Sequence, residues 1–85
     1  MLREGSTYFI RTVTYHWIGT LMHDEDGWVT LRDATWVADS GRFSDAIKDP
    51  SKLNELEPVE TPVLINRDTI VDVVELNYDP PRDQR

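Results

Sequence analysis

Gly19 to Ala34, "GTLMHDEDGWVTLRDA", decides the fold of this chain. It reads as two β-strands joined by an acidic turn, whose Asp26-Gly27 pair suits the positive φ of a tight hairpin. Upstream, Thr7 to Met22 ("TYFIRTVTYHWIGTLM") is dense in β-branched and aromatic residues and free of proline, as befits a half-buried sheet surface. It is too long for one ordinary strand, so two strands or one strongly bent strand are expected, with the break near Tyr15-His16 and with Gly19 permitting a bulge or a close approach. Downstream, Trp28 to Asp39 alternates Val29 and Leu31 with polar neighbours. The phase slips at Asp33-Ala34, where a bulge would restore it.

The chain then changes character. Phe43, Ala46 and Ile47 stand at i, i+3 and i+4, one face of a short helix that Asp39 or Ser40 can cap and Asp49-Pro50 must end. "SKLNELE" offers a second helical turn with Leu53 and Leu56 apolar, and "PVETP" is an extended link. Val63 to Leu76 gives two strands about a turn at Asn66-Arg67-Asp68-Thr69. "NYDPPRDQR" is polar and proline-rich, the composition of a loose tail. The organisation expected is one domain over residues 1–77, with a helical insert at 40–57 and a flexible tail at 78–85. Its core should draw on Val13, Trp17, Leu21, Val29, Leu31, Ile65 and Ile70.

The 85 residues hold no cysteine, which excludes disulfides and thiolate metal sites and leaves oligomerisation as the expected aid to a small core. Sixteen acidic against nine basic residues give a formal charge of −7, which repels DNA, RNA and anionic lipid at long range. The arginines are scattered. No apolar run has the length of a signal peptide or a membrane span, so the expectation is a cytoplasmic chain without membrane contact. No phosphate-binding, dinucleotide or nucleophile-elbow motif occurs, and Ser6, Ser40, Ser44 and Ser51 lack any catalytic context. A carboxylate pair such as Asp33 with Asp72 could face each other across a barrel, yet acids in strand–turn proteins usually face water. His16, His23 and the Asp24-Glu25-Asp26 run fit neither zinc spacing nor the interleaved acids of a calcium loop. No catalytic residue, metal or cofactor is therefore expected.

Five short antiparallel strands with bulges point to a mainly β, strongly bent barrel of SH3-like size with a short helical insert between its third and fourth strands. Within that class the opening stretch resembles the first motif of the Sm/LSm family, G-x-L followed by L-x-L-x-D-A. Gly19, Leu21, Asp24, Val29, Leu31, Asp33 and Ala34 fit it, with the turn one residue shorter. "LINRDTIVDV" resembles the second motif through Ile65, Asp68, Ile70 and Val71. "FIRTVTYHWIG", "WVADSGRFSDAI" and "INRDTIVDVVEL" also look like segments of short proteins of phage and bacterial genomes, a resemblance that implies no function.

The resemblance implies a homo-oligomeric ring in which the fourth strand of one subunit pairs with the fifth of the next. That places Val63, Ile65, Val71 and Val73 at the interface of a non-catalytic assembly module. At the family's RNA-binding positions the sequence departs from the pattern, because Met-Asn falls on Gly27 and Trp28 and Arg-Gly falls on Asn66 and Arg67. The alternative it implies is a single-stranded RNA-binding ring with an altered pocket of Trp28, Asn66 and Arg67, assisted by Arg32.

Overall fold

The computed structural model describes residues 2–85. Six strands form it: β1 (Thr7–Thr12), β2 (His16–Glu25), β3 (Trp28–Asp39), β4 (Glu55–Pro58), β5 (Val63–Asn66) and β6 (Ile70–Leu76). One helical turn, α1 (Phe43–Ala46), and 3₁₀ turns at Pro50–Lys52 and Arg67–Thr69 complete it. The strands run antiparallel in the order β4-β3-β2-β1-β6, and β5 shares the outer margin of β3 with β4. Because β5 and β6 do not pair, the sheet is open, with six strands where the sequence led us to expect five in a closed barrel. The added strand is β4, in a stretch read as helix. Buried Leu56 between exposed Glu55 and Glu57 has the two-residue period of a strand, and Leu56 lies opposite Val37. Among the described residues no helix is long and apolar enough to cross a membrane.

The bend is local and legible. Ile18 faces Thr35 and Thr20 faces Arg32, so Gly19 alone opposes Asp33 and Ala34, and Asp33 takes φ of +52° to accommodate the extra residue. A Cβ on Gly19 would stand 2.9 Å from Leu31 Cβ and 3.3 Å from Ala34 Cα, so only glycine lets β3 fold this closely over β2. At the hairpin tip Asp26 (φ +56°) and Gly27 (φ +82°) are both left-handed, as a two-residue turn between twisted strands requires.

The sheet buries both faces. Tyr8, Ile10, Leu21, Val29, Leu31, Ala34 and Ile65 form one core, inside the bend. Phe9, Ile18, Val37 and Leu76 project the other way and meet Ala46, Leu53 and Leu56, with Phe43, Ile47 and Tyr78 at the margin. The helical face Phe43-Ala46-Ile47 thus covers the second side of the sheet. Of the expected core, Leu21, Val29, Leu31 and Ile65 are buried, and Trp17 and Ile70 are packed at its edge. Val13 is 75% exposed. It sits in the turn after β1, which the Thr12 hydroxyl closes by donating to Tyr15 O and accepting from Tyr15 N–H.

The segment expected to be a loose tail is docked. Tyr78 donates its hydroxyl to Ala46 O at 2.7 Å, and Arg82 donates to Ala34 O and Val59 O at 2.7 and 3.0 Å. Arg85 exchanges backbone hydrogen bonds with Leu56, and its guanidinium donates to Pro50 O and Leu53 O. Composition misled here because arginine can satisfy several carbonyls at once, whereas polarity alone was read as solvation.

Candidate functional site

Among the described residues the fold leaves strand margins without partners. The outer margin of β4 is occupied by Arg85, whose N–H and carbonyl pair with Leu56 at 3.0 and 3.2 Å. β5 pairs only with β3, and β6 only with β1, so each keeps one unpaired margin among the described residues. The two lie at opposite ends of the strand order. Where the chain turns between them, Leu2, Arg67, Ile70 and Val73 line a cavity of about 240 Å³.

Natural edge strands are commonly guarded by free charges. On β6 both acids are engaged: Arg3 donates to Glu75 at 2.7 Å, and Arg11 grips Asp72 with two hydrogen bonds, one of them Nε to Oδ1 at 2.8 Å. Of the four residues expected at the interface, Ile65 is buried in the first core, and Val63 and Val73 pack against it. Val71 projects outward, 67% exposed, and the sequence reading missed Leu64, 58% exposed on β5. The signal was present as an unbroken apolar run through "VLI", which two-residue alternation must split between faces.

The residues of the RNA alternative are partly gathered. Trp28 lies opposite Asn66, and Arg67 N–H donates to Gly27 O at 2.9 Å. The polar groups are engaged within the chain: Asn66 Oδ1 accepts from Asp68 N–H, and Arg67 donates to Asp24 at 2.7 Å. Arg32 lies farther along β3, opposite Thr20, and is ion-paired with Asp33 at 3.1 Å. Asp33, on β3, and Asp72, on β6, are separated by β2 and β1 in the strand order, and each is ion-paired with an arginine. Among the described residues no three histidine or acidic side chains gather as a metal-binding set.

The Arg11 hydrogen bonds hold the Asp72 carboxyl below its ordinary range, against an opposing effect of burial. Asp49, accepting from the Ser51 hydroxyl and N–H, and Asp83, beside Arg85, are shifted the same way. A folded-state value below the unfolded one stabilises fully above the ordinary aspartate range and is lost as pH falls through the folded value. The melting temperature should therefore decline below about pH 4. Asp72→Asn should remove part of that decline, a modest part because Arg11 and Asp72 are each more than one-third exposed. Thermal melts of both proteins across the acid range would show it.

A second surface feature lies elsewhere. Tyr15, Trp17, Trp36, Glu57 and Val59 line an open groove of about 310 Å³. No family model matches the chain, and no curated protein or solved structure matches it significantly.

Proposed function

We propose that this chain is a non-catalytic assembly module that joins copies of itself, head to tail, by pairing β5 of one subunit with β6 of the next into an Sm-like ring. The observation that carries this reading is the contrast between margins. The outer margin of β4 is covered by the chain's own Arg85, while among the described residues the apolar strands β5 and β6, at the two ends of the open sheet, each keep one margin unpaired. Unlike edges that fit one another make a heterologous contact, which closes into a ring when the rotation per subunit divides a full turn. Backbone pairing would supply the affinity, with Leu64 and Val71 adding apolar contact. A cytoplasmic setting and a phage source accord with the cysteine-free composition and with the sequence resemblance. In the RNA-binding version of the ring, the Trp28-Asn66-Arg67 cluster would supply the pocket once Arg67 is released from Asp24.

Lysine on an edge strand opposes pairing without disturbing the subunit, because its charge must remain in water. Leu64→Lys and Val71→Lys alter exposed side chains and should leave the monomer's melting behaviour close to that of the parent. Light scattering should find the parent multimeric and each variant dissociated. A monomeric parent, or fully assembled lysine variants, would refute the edge-paired ring.

A further inference from the structure

Beyond the bend, the sheet face that carries Leu21 and Ala34 runs on through Trp17 and Trp36 and out towards solvent. Trp17 lies opposite Trp36, and Trp36 opposite Glu57, so the three side chains form a row across β2, β3 and β4. Tyr15, 55% exposed just before β2, meets Trp36 edge to face, with ring centroids 6.1 Å apart and planes at 73°. The groove therefore has aromatic walls at nearly right angles and a single charged group, the Glu57 carboxylate. Among the described residues no arginine or lysine lies within 4.0 Å of that carboxylate. Arg82, nearby at Val59, spends its guanidinium on the carbonyls of Ala34 and Val59. Exposed Glu55 and Glu60 add negative charge along this margin, where Arg82 and Arg85 keep their positive charge while their N–H groups are engaged by backbone carbonyls.

Aromatic faces and a free carboxylate together select an organic cation. Of the candidates, a guanidinium alone can stack flat on a ring while its N–H edge forks onto a carboxylate. A quaternary ammonium has no N–H for Glu57, and a lysine ammonium, a compact and strongly hydrated point charge, has no plane to lay on a ring. The carboxylate of free arginine would be repelled by the neighbouring glutamates, which favours an arginine with its backbone in peptide linkage. We propose that the Tyr15-Trp17-Trp36-Glu57 groove docks an arginine side chain presented by a partner polypeptide. The groove uses β2, β3 and β4, whereas the assembly edges are β5 and β6, so this site stands whether or not the ring does.

The three tryptophans report on it separately through their indole N–H signals in a proton–nitrogen correlation spectrum. Titration with an acetylated, amidated Gly-Ser-Arg-Ser-Gly peptide should move the Trp17 and Trp36 signals in a saturable way at millimolar concentration, while Trp28 stays fixed. The citrulline analogue, isosteric but uncharged, should move neither. Glu57→Gln and Tyr15→Leu change exposed side chains, and each should weaken binding by roughly two- to fivefold, the range for a surface ion pair or cation–π contact. No shift with the arginine peptide, or an equal response to citrulline, would overturn the site. Tighter binding of a trimethyllysine analogue would overturn the guanidinium assignment. Trp17 and Trp36 shifts that follow protein concentration and resist the peptide would show a second copy of the chain in the groove, and would likewise refute the proposal.

Discussion

Leu31→Ala is expected to lower the stability of the fold by roughly 2–5 kcal/mol, the range for emptying a core site. Leu31 is fully buried, lies opposite both Leu21 and Val63, and occupies the space that the missing Cβ of Gly19 leaves open. Its removal therefore costs more than its own contacts, because the close passage of β3 over β2 loses the side chain that fills it. The surroundings cannot collapse to compensate, since backbone pairing on both margins of β3 fixes the spacing. Against the roughly 5–15 kcal/mol that a whole domain possesses, the loss is severe. In a chain of this size it should lower the melting temperature by at least about 8 °C. A variant melting within a degree or two of the parent would mean that the first core is not organised around Leu31.

Removal of residues 78–85 is expected to destabilise the protein by a comparable amount, roughly 2–4 kcal/mol from lost apolar burial and lost hydrogen bonds to buried carbonyls. Tyr78 leaves the second core, Ala46 O loses its hydroxyl donor, and Ala34 O and Val59 O lose Arg82. Thr35, fully buried, also loses the Pro81 carbonyl that its hydroxyl meets. The outer margin of β4 is bared at the same time, which adds a third unpaired edge. Urea unfolding of the two chains would measure the difference. An unchanged midpoint would show that the segment rests on the sheet without holding it.

What could be read from the sequence was what neighbours in the chain decide. Asp26-Gly27 marks a tight turn by its backbone preference, Asp33-Ala34 interrupts an alternation, and Gly19 stands where two strands meet. All three lie where the reading placed them. The helical face Phe43-Ala46-Ile47 was likewise legible from its spacing. Contacts between distant segments left no comparable trace. Arg82 and Arg85 look like solvated charges until the carbonyls 35 or 48 residues away are known. One leucine between two glutamates is too short a pattern to separate a strand from a helical turn, and so β4 was missed. The second core was foreshadowed by Tyr8-Phe9-Ile10, since three consecutive large apolar residues on a strand cannot all face one side. The aromatic groove gave no separate signal, because Tyr15, Trp17 and Trp36 are also ordinary strand residues.

The pairing of β1 with β6 sets Thr7 opposite Leu76. Nearly the whole chain must be drawn into one loop before this contact can form, and the entropy of closing that loop falls due before the pairing repays it. The local hairpin of β2 and β3 can form early, in microseconds, about its Asp26-Gly27 turn. β6 is then expected to arrive late, with folding in the milliseconds-to-seconds range of domains dominated by non-local strand pairing. Until it arrives, the free flank of β1 displays Tyr8, Phe9 and Ile10 to any other chain. The protein's exposure to aggregation is therefore greatest in that interval, and it depends on how quickly its two distant ends find each other.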